Sequence, residues 1–352
     1  MSLDRPQPQL DYSALGELDV VDIAPAHHGS SEVMYPGGPE VDGGLLAPGD
    51  PLPENAGPNG RRPEWLKVRV GAGQTYANLH RLMRAEELHT VCEEARCPNI
   101  GECWTLGTAT FMVLGSVCTR NCGFCAIQTG RPPVTDPDEP RRVAQAVSRM
   151  ALKHVVVTMV ARDDLPDGGA GLVAETIRQI RVTNPQTSIE VLISDLNGRE
   201  GDIRTVVQAQ PEILNHNVET VPRLQRAVRR RARWDRSVSV LATGRRIATE
   251  IGFDGMVTKT GLMLGLGETW DEILEAMELL RAAHIEVLTI GQYLRPSRQH
   301  LPLRRYYTPA EFMALRRIGL QIGFRHVQSG PLVRSSYHAA EQVPEPAIAA
   351  AV

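Results

Sequence analysis

All six cysteines of this 352-residue chain lie between positions 92 and 125, where their number and spacing could support metal chemistry. They form a first trio, Cys92, Cys97 and Cys103, and a second trio, Cys118, Cys122 and Cys125. A structural zinc site usually takes four Cys or His ligands at short spacing, and neither trio supplies its own fourth ligand. Thiolates also hold iron–sulfur clusters, and three thiolates leave one iron of a cluster open to another ligand. The pattern therefore favours iron–sulfur chemistry.

Two other uses of the cysteines remain open on spacing alone. Paired disulfides are disfavoured because the sequence shows no secretory signal pattern, and a chain of this size can build a core without covalent staples. Two zinc sites, each completed by a distant histidine, would satisfy the same spacing.

The spacing CxxxCxxC of the second trio resembles that of the radical S-adenosylmethionine (SAM) enzymes. The first trio, CxxxxCxxxxxC in the wording EARCPNIGECW, and an RSSY at positions 334–337 together resemble the lipoyl synthases within that superfamily. The resemblance runs from about residue 61 to residue 341, and the combination of two ordered trios with RSSY is specific.

This resemblance implies two 4Fe-4S clusters and a particular reaction. The cluster on the second trio would reduce SAM to methionine and a 5′-deoxyadenosyl radical. The cluster on the first trio, with Ser336 of RSSY as its fourth ligand, would donate the sulfur. Sulfur would then be inserted at C6 and C8 of an octanoyl chain carried on a protein lysine. Within the superfamily, a methylthiotransferase or a biotin-synthase-like enzyme is the alternative, although their auxiliary clusters are normally held by other cysteine patterns.

The resemblance also implies partners. The substrate would be an octanoylated lipoyl carrier domain or the glycine cleavage H protein. An electron donor such as flavodoxin or ferredoxin would reduce the cluster, and an iron–sulfur carrier would repair it after turnover. A cytoplasmic enzyme is expected, with no nucleic acid and no membrane as partners.

After position 104, short β-rich runs alternate with longer helical ones, which is typical of βα units with a parallel sheet. Candidate strands lie at 110–114, 154–158, 189–193, 213–216, 255–259 and 287–293. Six such units match the partial (β/α)6 TIM-type barrel implied by the resemblance, an α/β fold. We expect an N-terminal cluster-binding extension before the barrel and a C-terminal segment that closes its mouth.

Polar residues follow several of these strands, and in such barrels the chemistry gathers where strands end. Asp164, Asp167 and Gly168 follow the second strand, and we predict that they contact SAM, although an ordinary Asp-Gly turn explains them nearly as well. Asn215 and Asn217 end the fourth strand, where amides could bind a ribose or a carboxylate. Arg295 follows the sixth strand and completes the predicted SAM-binding set.

Composition divides the chain into segments. Residues 1–60 are rich in Pro, Gly and acidic residues, contain Arg5 as their single Lys or Arg, and predict a disordered tail. The extension spans 61–109, the barrel 110–300, a C-terminal helix with RSSY 301–342, and a second tail 343–352. The net charge of −3 gives no reason to expect nucleic acid, and no apolar run is long enough to span a membrane.

A run of seven arginines between positions 223 and 236 interrupts this weakly acidic chain. A solvated helix face is the usual explanation of such a run, but its charge could instead dock an acidic partner. A function of a different class, a zinc-bound scaffold that binds nucleic acid through this run, is the second hypothesis. Iron and sulfide content after anaerobic purification distinguishes the two.

Overall fold

A single eight-stranded sheet forms the centre of the computed structural model, which describes residues 53–57, 61–67, 80–81, 83–84, 88–94, 97, 99–100, 103 and 109–343. In chain order, the strands are β1 (His89–Thr90), β2 (Thr110–Val113), β3 (Val117–Cys118), β4 (Gln128–Thr129), β5 (His154–Met159), β6 (Ser188–Leu192), β7 (Ile213–Asn215), β8 (Val257–Leu264), β9 (Val287–Gln292) and β10 (His326–Gly330). Their order in the sheet is β1-β2-β5-β6-β7-β8-β9-β10, while β3 and β4 pair separately. All neighbours from β2 to β10 are parallel, and β1 alone runs antiparallel.

Helices connect the parallel strands, since a parallel pair needs a crossover of a dozen or more residues. Within the described residues these helices are α1 (Val91–Glu94), α2 (Glu139–Arg149), α3 (Ala170–Thr183), α4 (Glu200–Val207), α5 (Gln225–Val228), α6 (Trp234–Glu250), α7 (Trp270–Ala282) and α8 (Pro309–Gln321). In the sheet order β2-β5-β6-β7-β8-β9-β10, one long helix lies between each strand and the next. The short strands β3 and β4, which pair separately, are not part of this series. The result is the expected α/β fold, a partial barrel whose sheet remains open in the described structure.

The core lies between the sheet and these helices, because the strands bury side chains on both faces. Every residue of β9 is buried, and β5 is buried from His154 to Thr158. Helices α7 and α8 each begin with a capping box, in which a threonine and the glutamate three residues later satisfy each other's backbone N–H groups. These local signals stabilise the helix ends without help from the core.

The structure contains all six predicted parallel strands and one that the sequence did not predict. Strand β10 has the sequence HVQSG, in which only Val327 is a buried apolar residue, so its pattern is too weak to indicate a strand. Its partner β9 nevertheless pairs with it over five residues. The predicted strand at 255–259 is also longer than expected and extends to Leu264.

Part of the predicted 1–60 tail packs against the fold, which corrects its boundary. The N–H of Glu54 donates to the carbonyl of Arg304 at 3.0 Å, and Tyr306 N–H donates back to Glu54 at 2.9 Å. These two backbone hydrogen bonds hold residues 53–57 against the segment at 304–306. Residues 1–52 and 58–60 of the predicted first tail, and residues 344–352 of the predicted 343–352 tail, lie outside the described residues. In the part of the chain that is described, no helix has the length and apolar character to cross a membrane.

Candidate functional site

The second trio sits where β2 ends, at the same edge of the sheet as the polar segments that follow the other strands. Cys118 ends the short strand β3, and Cys122 and Cys125 follow it before β4. Because all seven strands from β2 to β10 are parallel, their carboxyl ends share one rim of the partial barrel. The fold therefore gathers these segments at one barrel mouth, as the sequence predicts.

Backbone contacts on both sides hold the loop of the second trio. Gly123 N–H donates to the carbonyl of Val228 at 3.0 Å, and Leu301 N–H donates to the carbonyl of Gly123 at 2.8 Å. A Cβ at position 123 would lie 2.8 Å from Leu301 Cγ, so the close approach requires glycine. The loop is thus fixed between the end of α5 and the segment after β9.

The thiols of Cys122 and Cys125 are partly buried, and this burial favours their neutral form. Burial raises the pKa of Cys125 to about 12 and also raises that of Cys122. The carboxylate of Glu219 raises both further, while Arg229 opposes the shift at Cys122. Such thiols ionise when a metal binds them, because the metal charge replaces the lost hydration. Three partly buried thiols on one loop fit an iron–sulfur cluster.

All six cysteines lie among the described residues and carry free thiols, so disulfides do not form. Among the described residues, no three His, Cys, Asp or Glu side chains converge closely enough to hold a single metal ion. The thiolates of an iron–sulfur cluster bind separate irons, so a cluster does not require such convergence.

Arg120, which lies between Cys118 and Cys122 in the sequence, is buried and forms several ion pairs that the sequence did not predict. Its guanidinium donates to both carboxylate oxygens of Asp163, at 2.8 and 2.7 Å, and lies 2.7 Å from Asp195. Arg236 pairs with the other oxygen of Asp195. Burial alone would raise the pKa of Asp195, but Arg120 outweighs it and lowers the pKa to about 2. These ion pairs join the cysteine loop to the ends of β5 and β6.

The predicted SAM contacts after β5 already have partners within their own loop. Asp164 forms a paired ion contact with Arg162, at 2.9 and 2.8 Å. Asp167 accepts from the N–H groups of Gly169 and Gly171, at 2.9 and 2.8 Å, and so caps the start of α3. Gly168 has a φ of +63°, which glycine adopts without strain. These contacts are those of a structural turn, and SAM contact by these residues stays a prediction.

The two asparagines at the end of β7 differ in their surroundings. Asn215 is fully buried and donates to Glu190 at 2.7 Å, inside the barrel. Asn217 lies beyond the strand end, and its Oδ1 atom is buried with no hydrogen-bond partner in the described structure. The Oδ1 atom of Asn215 is likewise unpaired. An unpaired buried acceptor is costly unless a ligand or water satisfies it, and Asn217 is at the rim, where a ligand could reach it.

Glu219 adds a candidate beyond the predicted residues. Its backbone has a φ of +68°, an unfavourable value for a residue with a side chain. Burial raises the pKa of its carboxyl, while Arg229 and a hydrogen bond from Asn217 lower it. Its effect on the pKa of two cysteines places it beside the second trio. In the sequence it belongs to the polar motif NHNVET at the end of the fourth predicted strand, but the predicted SAM contacts of that motif were Asn215 and Asn217.

Arg295, predicted to contact SAM, braces the turn that follows β9. Its side chain donates to the carbonyls of His300 and Arg298, at 2.9 and 2.8 Å. The Nε2 atom of His300 in turn donates to the carbonyl of Cys125 at 3.0 Å. In the described structure, Arg295 therefore bonds to His300, which in turn bonds to Cys125 of the second trio.

The arginine run is not one solvated helix. Helix α5 ends at Val228 and α6 begins at Trp234, and several arginines between positions 223 and 236 are bonded internally. Arg229 is buried and donates to the carbonyl of Asn217 at 2.9 Å, so it belongs to the barrel mouth. Arg226 and Arg230 are exposed on either side of Val228, the residue that binds Gly123. Only part of the run is thus available to a partner.

The first trio lines a cavity together with the RSSY segment. The lining residues are Cys92, Cys97, Asn99, Ile100, Cys103, Thr110, Arg334, Ser336 and Tyr337. Ser336 is among them and Ser335 is not. Three thiols and the Ser336 hydroxyl at a single cavity fit an iron–sulfur cluster with a serine ligand, while the role of each residue stays a prediction.

The RSSY segment reaches this cavity by crossing the end of β9. A Cβ on Gly291 would lie 2.1 Å from the carbonyl oxygen of Val333, so only glycine permits the crossing. The side chain of Asn99 then donates to the carbonyl of Leu332 at 2.6 Å. This bond joins the N-terminal extension to the C-terminal segment, as the expected closure of the barrel mouth requires.

Comparisons with known proteins agree with this geometry. The sequence profile of the radical SAM superfamily matches residues 112–280, and that of the N-terminal domain of lipoyl synthase matches residues 50–97. Lipoyl synthase from Bacillus cytotoxicus is 56% identical over 284 residues, covering 80% of this chain and 94% of that protein. Lipoyl synthase from Bacillus mycoides is 55% identical with the same coverage.

Similar solved structures are more distant. Methylornithine synthase shares 14% identity over 68% of this chain and 68% of its own, with a TM-score of 0.42. Streptococcus suis SuiB bound to SAM shares 11% identity over 77% of this chain and 63% of its own, with a TM-score of 0.48.

Proposed function

This chain belongs to the lipoyl synthase family of the radical SAM superfamily, and we propose that its two cysteine trios hold two 4Fe-4S clusters with separate tasks. The chain is a radical SAM sulfurtransferase. The second trio would hold the cluster at which SAM is cleaved. The first trio, with Ser336, would hold the cluster that donates sulfur to C6 and C8 of an octanoyl-lysine.

When bound, these clusters supply one electron for the cleavage of SAM and the sulfur atoms for insertion. The protein holds and orients the reactants. Gly123 and His300 keep the loop of the second trio in place, and Arg120 ties it to the neighbouring loops. The Oδ1 atom of Asn217, which has no hydrogen-bond partner in the described structure, would accept a hydrogen bond from SAM. A closed mouth would keep water and other hydrogen donors from a carbon radical.

The observation that carries this proposal is the cavity in which three thiols meet Ser336. A radical SAM enzyme needs only one trio to cleave SAM, so a second site with its own complete donor set supports a second task. The proposed ligand Ser336 reaches the cavity of the first trio on a C-terminal segment that is separate in sequence from the three cysteines. A ligand from a separate part of the chain supports a cluster that is assembled and taken apart.

The partners follow from the proposed reaction. We propose an octanoylated lipoyl carrier domain or H protein as substrate, with flavodoxin or ferredoxin as electron donor and an iron–sulfur carrier for repair. Six free thiols favour a reducing compartment, so we place the activity in the cytoplasm.

The direct test is an anaerobic incubation with SAM, a reductant and an octanoyl-lysyl peptide, followed by mass spectrometry. We expect a peptide carrying two added sulfur atoms, together with methionine and 5′-deoxyadenosine. A peptide with unmodified lysine serves as the control and should gain no sulfur. Formation of 5′-deoxyadenosine with no sulfur in the octanoyl peptide would contradict the proposed substrate and favour another radical SAM specificity.

A further inference from the structure

Arg334 of the RSSY segment lines the cavity of the first trio without an acidic partner in the described structure. Its Nη1 atom donates to two backbone carbonyls, those of Val333 at 2.7 Å and Gln292 at 3.3 Å. Two arginines of the barrel mouth are paired with carboxylates, Arg120 with Asp163 and Arg162 with Asp164. Arg229 and Arg295 instead donate to backbone carbonyls, as Arg334 does. Arg334 is partly buried, and a cation that loses hydration without gaining a counter-charge is unfavourable, so it requires another explanation.

A second arginine increases this imbalance. Burial lowers the pKa of Arg334, and the charge of Arg62 lowers it further. Burial also lowers the pKa of Arg62 itself. Arg334 and three thiols line the cavity, and the charge of Arg62 acts on Arg334 from outside that lining. Charges of this kind are stabilised together only when an anion lies between or beside them.

Among the residues that line the cavity, only the cysteines can supply that anion. The cavity contains three cysteines and no Asp or Glu. The charge of a Cys97 thiolate opposes the effect of burial on Arg334, which places that thiol near the guanidinium. A cluster bound by thiolates carries net negative charge, and both that charge and hydrogen bonds to its sulfur atoms set its reduction potential. The guanidinium has five N–H donors, so those not bonded to backbone can point at such a group.

We propose that Arg334, supported by Arg62, is the counter-charge of the cluster held by the first trio and raises its reduction potential. This inference rests on the proposed function, because it requires a cluster at the first trio. Arg334 acts here as a positioning residue that stabilises the assembled site. This role explains why an arginine directly precedes the two serines. The proposed ligand Ser336 and the counter-charge Arg334 then reach the cavity on the same segment.

The test uses the full chain with Cys118, Cys122 and Cys125 replaced by Ala, so that only the first site carries a cluster. In this parent we compare Arg334→Met, which removes the charge, with Arg334→Lys, which keeps it. Arg317→Met, at an exposed position of α8, is the matched control. The measurements are the midpoint potential from an anaerobic spectroelectrochemical titration and the rate of iron release to a chelator.

We expect Arg334→Met to shift the midpoint potential to more negative values and to release iron severalfold faster than the parent. Arg334→Lys should stay close to the parent in potential, and Arg62→Met should shift it in the same direction as Arg334→Met by less. The Arg317 control should change neither quantity. Thermal unfolding of each variant verifies that the fold is retained.

Two results would overturn the inference while leaving the proposed function intact. One is a cluster in Arg334→Met with the potential and iron release of the parent. The other is an Arg334→Lys shift as large as that of Arg334→Met, since a retained charge should retain the effect. A parent that binds no iron at all would instead refute the proposed first site, and the inference with it.

Discussion

The two cysteine trios contain the same number of thiols but are built from different parts of the chain. The second trio lies on one loop, and its neighbours Val228 and Leu301 hold that loop through backbone hydrogen bonds. The first trio lies outside the barrel strands, and its cavity is completed by Ser336, more than 230 residues away in sequence. One site is therefore formed by a rigid loop, while the other requires two distant segments to meet.

Their electrostatic surroundings differ as well. Carboxylates and arginines are mixed around the second trio, where Asp163 and Asp195 balance Arg120, and Glu219 lies near two of the thiols. The cavity of the first trio is lined by Arg334 and by no carboxylate. This contrast suits a first site at which Arg334 is the counter-charge of the proposed cluster, whereas the charges around the second trio balance one another. Four experiments test it.

Removing one trio at a time should have the largest effect. Replacing Cys118, Cys122 and Cys125 by Ala should abolish SAM cleavage and leave about four iron atoms on the first trio, if each trio holds its own cluster as proposed. Replacing Cys92, Cys97 and Cys103 should preserve 5′-deoxyadenosine formation and abolish sulfur insertion. Iron analysis and mass spectrometry measure both outcomes. SAM cleavage by the first variant would show that the two tasks are not divided in this way.

The fourth ligand of the first site gives the next largest effect. A serine oxygen matches a sulfide-bridged iron less well than a thiolate does, so it should release iron more readily. Ser336→Cys should assemble the cluster but insert sulfur at least tenfold more slowly, about 1.4 kcal/mol in the activation barrier. The matched control is Ser335→Ala, whose residue is not part of the cavity lining, and it should retain most activity. An inactive Ser335→Ala beside an active Ser336→Ala would reverse the assignment.

The ion pairs at the second site should contribute to stability. Asp195→Asn leaves Arg120 and Arg236 without a shared counter-charge and should lower the free energy of unfolding by about 3–5 kcal/mol at neutral pH. The pKa of Asp195 is lowered to about 2 in the folded protein, so its contribution is present above the unfolded pKa of about 4 and disappears as the pH falls toward 2.

Chemical denaturation of wild type and Asp195→Asn at several pH values tests this prediction. The difference between the two proteins should shrink as the pH falls from about 5 to about 2, because protonation removes the same charge from wild type. Asp202→Asn, at a residue bonded to Arg199 on the surface, is the control and should cost less than about 1 kcal/mol. A difference that does not change with pH would assign the effect to packing.

The smallest expected effect concerns the carrier. Arg226→Glu with Arg230→Glu reverses two exposed charges beside the loop of the second trio and should raise KM for an intact acidic carrier domain severalfold at low salt. KM for a short octanoyl-lysyl peptide should stay unchanged. Arg316→Glu with Arg317→Glu, on exposed positions of α8, is the matched control. Equal KM values for the carrier at every ionic strength would leave these arginines as solvated surface.

Polar residues at strand ends show where prediction from sequence stopped. The sequence predicted that the Asp-Gly loop follows one strand and that the asparagines lie at the end of another, and in the structure these strands are β5 and β7. The contact of these residues with SAM stays a prediction. Their interactions could not be predicted from the sequence. Asp167 accepts hydrogen bonds from backbone N–H groups, and Asn215 donates a hydrogen bond to Glu190 on another strand. The same limit applies to Arg229, which looked like part of a solvated run and is buried.

The sequence by itself determined the two sets of thiols and the repeated βα pattern. Ligands of one cluster are close in sequence, and the apolar runs of buried strands are local, so both can be recognised without a structure. Only the tertiary structure decided which charges face which cluster. Arg120 meets Asp195, and Arg334 meets Cys97, because the strands bring distant loops to one rim, and electrostatic interactions depend on distances in space.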